Sequence, residues 1–569
     1  MPVNQRSAAR TDRVLNNFSS SVLAKLLTLF LHFFSRTVFI QSLGNTYLSV
    51  NGLYGSVLGI LSLAEMGFAV TIVFSMYKPL AEHDHARLSS LLLLYRRVYL
   101  VIGAVILGVG LALIPILDLL IDIPEDMELG SLSFSLFGRD CSVSYIIVYY
   151  VMYLLNTSIS YFAFGYRSSV LTADQRSYVI TNFSSALTIV KSLVQVAVLM
   201  TVGQRDPNTA YTIFMLIDTA TVITSNVVVA VVTGKMYPDV RIRGASPLPK
   251  SEKQRIAKEV GSSAVARIGH VALHSTDNIL ISAMIATLLI GSTENYSLVT
   301  GEVDGILCMF TGALTASLGN YFAEKSRAEG LDLFRKITYA NIWLYGLSAV
   351  ALITLLNPFI TVWLHSEEFL LSPAIVIALT INFFVAGYMS TLFTFRSTLG
   401  LFTQGWLRPI VTAVVNIGAS IGLARALGGV TWFGYRDWPL FGILIATFLA
   451  RLSVNMWYDP IIIHKYGFGV SAKPFFRQAL TTIGWSAAFC LLLWPIKLLL
   501  PVTLDMEPGP RLVNFILLTL ITAAVCVGGF WILNHKRPEY IFFKQRIFGI
   551  LRGIGRKLSS AFRGKHRKA

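Results

Sequence analysis

Fourteen long apolar stretches run through this 569-residue chain, and they restrict what it can fold into. A helix needs about 20 largely apolar residues to cross the hydrocarbon core of a bilayer. Inside that core every backbone polar group must be satisfied within the protein, which leaves helices or closed barrels. The stretches cover residues 18–40, 47–76, 98–121, 144–164, 178–200, 211–232, 261–290, 298–318, 337–364, 374–395, 410–423, 440–463, 479–500 and 513–533. They predict an all-α polytopic membrane protein with about 14 transmembrane helices, of which the eleventh is short and glycine-rich. Only 14% of the residues are charged, against about 25% in a soluble domain. That excludes a soluble enzyme. The four cysteines, Cys141, Cys308, Cys490 and Cys526, lie far apart, which excludes a disulfide framework and a thiolate metal site. The first stretch contains Lys25 and is too long for a signal-peptide core, so it reads as a span.

An even number of spans places both termini on one side, and the basic residues choose which. Arg6, Arg10 and Arg13 precede the first span, and Lys78, Arg87, Arg96 and Arg97 follow the second. The segment 234–260 holds Lys235, Arg241, Arg243, Lys250, Lys253, Arg255 and Lys258, and eleven Lys or Arg follow Asn534. The alternate loops 41–46, 291–297 and 365–372 contain none, and 122–140 is acidic. Cytoplasmic loops collect Lys and Arg, so both termini are expected in the cytoplasm. The net charge of +17 is then a matter of topology, and no nucleic-acid partner is expected.

The two halves resemble each other. Ser20-Ser21-Val22-Leu23-Ala24-Lys25 matches Ser262-Ser263-Ala264-Val265-Ala266-Arg267, and His32 matches His274 at the same offset. Ala81-Glu82 matches Ala323-Glu324, Pro115 matches Pro358, and Tyr166-Arg167-Ser168-Ser169 matches Phe395-Arg396-Ser397-Thr398. Six spans separate the copies, which keeps their topology parallel and relates them by an axis along the membrane normal. The expected organisation is an N-lobe at 1–233, a cytoplasmic linker at 234–260, a C-lobe at 261–463, two extra spans at 464–534 and a basic tail at 535–569. In the tail, Ile547, Leu551, Ile554, Leu558 and Phe562 recur at helical spacing among basic residues. This predicts an amphipathic helix on anionic lipid.

Charges within spans are costly and are functional candidates by default. Arg267, His270, His274 and Asp277 fall within about 80° on one face of the seventh span. Lys25, His32 and Arg36 fall within about 40° on the first. The first helix of each half therefore carries a basic stripe. Lys25, Arg36, Lys191, Arg267 and His274 are candidates for binding an anionic substrate, with Lys25 and Arg267 beside serine-rich helix starts that favour phosphate. Glu65, Asp218, Asp277, Glu302 and Asp304 are candidates for a coupling Na⁺ or H⁺. The competing reading makes these same residues structural ion pairs, for example Arg267 with Glu65. The sequence lacks a GxxxxGK[ST] loop, an HExxH motif and a metal-ligand cluster, so no resident cofactor is expected.

Val50-Asn51-Gly52-Leu53-Tyr54, Leu61-Ser62-Leu63-Ala64-Glu65-Met66-Gly67 and Tyr77-Lys78-Pro79-Leu80-Ala81-Glu82 resemble polysaccharide transporters, the O-antigen and capsule flippases of the multidrug/oligosaccharidyl-lipid/polysaccharide exporter superfamily. Thr276-Asp277-Asn278-Ile279-Leu280-Ile281-Ser282, Asn357-Pro358-Phe359-Ile360-Thr361-Val362-Trp363-Leu364 and Phe395-Arg396-Ser397-Thr398-Leu399-Gly400-Leu401-Phe402 carry the same resemblance. It covers residues 16–468 and leaves out the basic tail. It implies two six-helix lobes around a central cavity in the bacterial cytoplasmic membrane, and ion-coupled alternating access. It also implies a flippase, not an enzyme, for an undecaprenyl-diphosphate-linked oligosaccharide, with a polysaccharide polymerase and glycosyltransferases as neighbours in the pathway. A monomer would already contain both lobes. Two other readings stay open. One is a drug or cation antiporter of the same superfamily, which the basic stripes disfavour. The other is a membrane polymerase or ligase, which the short outer loops disfavour.

Overall fold

The computed structural model describes residues 3–124, 129–136, 139–174, 176–315, 326–401 and 404–545, save 406, 433 and 436; at 3–27, 63–67, 69–70, 118, 134, 136, 139–141, 259, 261–274 and 310–315 it describes the backbone alone. Lys25, Glu65, Arg267 and His274 thus have side chains outside the described residues, as does the amphipathic stretch of the tail from 546 onward.

The fold is helical. Its main helices are α1 (Val3–Leu61), α2 (Leu63–Ala81), α3 (His85–Ala112), α4 (Tyr145–Phe162), α5 (Ser177–Thr201), α6 (Pro207–Met236) and α7 (Lys250–Met284). They continue as α8 (Leu288–Thr315), α9 (Arg327–Leu364), α10 (Pro373–Thr398), α11 (Arg408–Ala426), α12 (Trp438–Ala450), α13 (Lys473–Leu499) and α14 (Pro508–Asn534). Among the described residues ten helical segments are long and apolar enough to cross a membrane: α3–α6, α9–α11, the run from α12 on to Phe468, α13 and α14. Each of the fourteen expected spans falls on one or more of these helices, and the eleventh extends to 19 residues. The expected acidic loop 122–140 instead contains a two-stranded antiparallel hairpin, β1 (Ser131–Leu136) and β2 (Arg139–Ser144).

Two of the expected loops, 41–46 and 291–297, are not open loops. Spans one and two lie on one continuous α1, interrupted at Gly44 by φ 81° and ψ −174°, a region essentially reserved for glycine. The second span then breaks at Ser62 between α1 and α2. Residues 291–297 are not a loop: they belong to α8, and the turn is the short stretch 285–287.

The chain divides into two compact units. One comprises 34–296 with 403–455, the other 1–33 with 297–402 and 456–569. In the first, α3 packs on α4, α5 and α4 on α6, α2 on α7, and α7 on α11, which pairs with α12. This unit also contains a tight seam. Asn45 Nδ2 and Ser49 Oγ both donate to Leu288 O at 3.2 Å, and Gly291 N donates to Ser49 Oγ at 2.9 Å. A Cβ on Gly291 would stand 1.9 Å from Asn45 Oδ1, so no larger residue fits there without movement. Thr287 clamps the seam to the end of the third span, its Oγ1 accepting from Asp122 N at 2.8 Å.

In the second unit α9 is the hub, packed against α10, α13 and α14. Tyr339, Trp343 and Val350 of α9 bury themselves against Phe489 and Leu493 of α13 and Cys526 of α14. Tyr339 Oη donates to Asn534 Oδ1 at 2.6 Å. The two extra spans are thereby fastened to the ninth span.

Candidate functional site

In the first unit, charged and polar side chains from several helices form a connected network. Arg36 on α1 keeps Nη1 shut away from solvent with no hydrogen-bond partner, while it interacts electrostatically with Glu294 and Tyr153. Glu294 Oε1 accepts from Asn278 Nδ2 at 3.1 Å, and that amide also reaches Ser56 Oγ at 3.0 Å. On the neighbouring span Asn51 Oδ1 accepts from Tyr211 Oη at 3.2 Å. Tyr153 also senses the charge of Asp218, which holds Lys191 Nζ at 2.8 Å. Lys191 and Asp218, candidates for substrate and for ion with an ion pair as the competing reading, are ion-pair partners. Glu294 was hidden from the sequence reading by its assignment to a loop. The offset between His32 and His274, 274 − 32 = 242, would have found its setting: it carries Arg36 to Asn278 and Gly52 to Glu294. Gly52 meets Glu294 directly, since a Cβ there would lie 3.1 Å from the Glu294 Cγ.

A second group in the same unit centres on Asp277 of α7. Its Oδ2 accepts from Thr447 Oγ1 of α12 at 3.0 Å, and Thr447 Oγ1 accepts from Asn416 Nδ2 of α11 at 2.8 Å. Asp277 Oδ1 is closed off from solvent and has no hydrogen-bond partner. Ser420 lies one turn beyond Asn416, on the same helix face, and its buried hydroxyl is likewise unpartnered. Arg451, 6% exposed, interacts electrostatically with Asp277 from a π-helical turn at Arg451–Asn455. Such turns are frequent at functional positions. An unpartnered carboxylate oxygen among side-chain hydroxyl and amide oxygens suits a hard cation or a proton.

In the second unit the remaining acids are engaged. Glu302 meets His32 Nδ1 at 2.7 Å. Asp304 accepts from Tyr345 Oη at 2.6 Å, with Cys308 Sγ 3.7 Å from its other oxygen. Arg396 and Asp459 form a deeply buried ion pair at 3.1 Å, and Arg396 Nε also donates to Leu401 O at 2.9 Å. Among the described residues no group of three or more His, Cys, Asp or Glu could hold a metal ion.

No protein-family profile and no curated protein matches this chain. Two solved structures share its architecture. One is the inward-facing conformation of a multidrug resistance MATE family transporter of the MOP superfamily, 16% identical, covering 77% of this chain and 95% of its own, with a TM-score of 0.56. The other is the lipid II flippase MurJ in an inward closed conformation, 14% identical, covering 89% of this chain and 98% of its own, with a TM-score of 0.58. At these identities the likeness is one of architecture: the chain is a predominantly helical polytopic membrane protein that shares the fold of these two transporters.

Proposed function

We propose that the protein is a flippase that moves an undecaprenyl-diphosphate-linked oligosaccharide from the inner to the outer leaflet of a bacterial cytoplasmic membrane, for surface polysaccharide synthesis. The observation that carries this reading is Arg36, whose buried guanidinium nitrogen lacks a partner in the polar network of spans one, two, four and seven. A cationic drug would be repelled there; a diphosphate supplies the acceptors that an arginine fork seeks. Lys25, Arg267, His274 and Lys191 complete the proposed anionic path, with Lys191 released from Asp218 when substrate arrives. The fold shared with a lipid II flippase supports a lipid-linked substrate. The halves 1–233 and 261–463 are proposed to rock about the site as two lobes, with both termini cytoplasmic and a monomer as the working unit.

Of the four acids whose side chains are described, Asp277 is the proposed coupling residue, since its second oxygen is shut from solvent without a hydrogen-bond donor beside side-chain hydroxyl and amide groups, whereas Asp218 is held by Lys191, Glu302 by His32 and Asp304 by Tyr345. Transport would follow a Na⁺ or H⁺ gradient.

The test is translocation of a labelled undecaprenyl-diphosphate oligosaccharide in proteoliposomes with and without an imposed ion gradient. Wild type should flip the lipid, Arg36→Gln should lower the apparent affinity roughly tenfold, and Asp277→Asn should remove the response to the gradient. Expulsion of a cationic dye without lipid movement would replace this reading by the drug or cation antiporter.

A further inference from the structure

A cavity of about 800 Å³ opens at the basic end of the first unit, where α3 begins, α4 ends and α6 runs into the linker. None of its lining residues belongs to the network around Arg36 or to the group at Asp277. Arg96, Arg167, Arg241 and Arg243 line it, together with Phe164 and Val240, and none of its described lining residues is acidic. Two carboxylates flank the lining residues in sequence without joining the lining: Asp239, which is exposed, and Asp174, which accepts from Tyr237 Oη and pairs with Arg176 at 2.8 Å. Arg167 spans the floor, donating Nη1 to Ala230 O at 3.2 Å, while its Nε is closed off from solvent and has no partner. Arg241 is folded back by a 2.7 Å bond from Nε to Pro238 O. At the rim Phe164 takes a left-handed backbone, φ 62° and ψ 11°, and leaves its ring 45% exposed. A bulky side chain held there is strained, and such strain collects at ligand clamps.

We propose that this cavity is a binding site for the phosphate headgroup of an anionic membrane phospholipid, with Arg96 and Arg243 gripping the phosphate and Phe164 and Val240 covering the glycerol. Arginine clusters with an unsatisfied donor and no acid select phosphate. The apolar rim and the position at the ends of three spans select the lipid over free phosphate, because basic pockets between spans on this side sit at headgroup depth. The reading does not depend on what the protein transports.

The experiment reconstitutes the full-length protein in nanodiscs of phosphatidylcholine alone or phosphatidylcholine with phosphatidylglycerol, and counts retained phosphatidylglycerol by native mass spectrometry. Arg96→Gln/Arg243→Gln should lower retention about tenfold, with unfolding in pure phosphatidylcholine unchanged. Lys473→Gln/Arg477→Gln, the same charge loss at the start of α13, should leave retention intact. Equal loss in that control would show a diffuse basic surface and overturn the site. Displacement of the lipid by millimolar inorganic phosphate would overturn it in favour of a soluble anion. Arg243→Gln alone, on an exposed linker residue that cannot unfold the bundle, gives a partial loss if the site is real and none if it is not.

Discussion

Two arginines that the sequence match of 166–169 with 395–398 pairs are held in different ways. Arg167, just after α4, reaches the backbone oxygen of Ala230 on α6; Arg396, at the end of α10, reaches the carboxylate of Asp459 beyond α12. Each partner lies 63 residues on, and the corners are related by one offset, 396 − 167 = 459 − 230 = 229. The geometry is repeated while the electrostatics is not. The first corner leaves an arginine donor unused and opens on a basic cavity; the second is neutral, buried and closed. Arginines placed alike in the sequence thus border a basic cavity in one unit and form a buried fastening in the other.

The largest expected effect comes from breaking the fastening. Asp459→Ala strands a buried guanidinium and should cost about 3–5 kcal/mol of stability, whereas Arg167→Ala loses one charged hydrogen bond, about 1.5–3 kcal/mol. Thermal unfolding in a fixed lipid reads both, and equal losses would erase the difference between the corners. The same offset relates Ser158 to Gly387, 387 − 158 = 229. A Cβ on Gly387 would lie 2.0 Å from Tyr345 Cδ1, so Gly387→Ser, which copies the first half into the second, should overpack it by about 1–3 kcal/mol. Ser158→Gly should be tolerated better; the reverse ranking in unfolding temperature would show that the halves do not correspond at this offset.

It also relates Asp218 to Thr447, 447 − 218 = 229. In the first half the pair on the last two spans is Lys191 with Asp218; in the second it is Asn416 with Thr447, which passes the contact on to Asp277. Both members of the Lys191 pair are partly exposed, at 27% and 23%, so Lys191→Gln should cost no more than about 1 kcal/mol. Adding Asp218→Asn should recover that loss; a double variant less stable than either single one would give Lys191 a further partner. The smallest effect concerns the aspartates that begin α6 and α12. Asp206 caps α6, accepting from Thr209 N at 3.0 Å, and Thr209's hydrogen bonds hold its carboxyl below the usual carboxylate range. Asp437 forms no such cap with its side chain. The depressed value means that the contribution of Asp206 is present above about pH 4 and is lost as pH falls through the folded-state value. Asp206→Ala should lower the unfolding temperature slightly at pH 7 and less at pH 3.

Much of the fold was legible because apolar length is a strong signal and a bilayer allows few answers to it. What escaped had weaker signals. The hairpin was written in Ser131-Leu132-Ser133-Phe134-Ser135-Leu136, an alternation of period two, but six residues inside an acidic loop carry little weight. Glu294 was missed because the turn before it spans only 285–287, and hydropathy cannot separate a turn that short from the helix it starts. Among the candidate residues, Lys191 with Asp218 and Arg451 with Asp277 could be foreseen as opposite charges but not as partners, because partners on different helices are set by packing rather than by spacing. The buried pair of Arg396 and Asp459 went unread for the same reason.

The seam at Asn45, Ser49 and Leu288 bears on timing. Its three hydrogen bonds share two acceptors, so they part together. At about 1 kcal/mol net for each bond, a state with this end separated is on the order of a hundredfold rarer than the closed one. The seam therefore acts as a latch, and any motion that parts α1 from the start of α8 must supply that free energy.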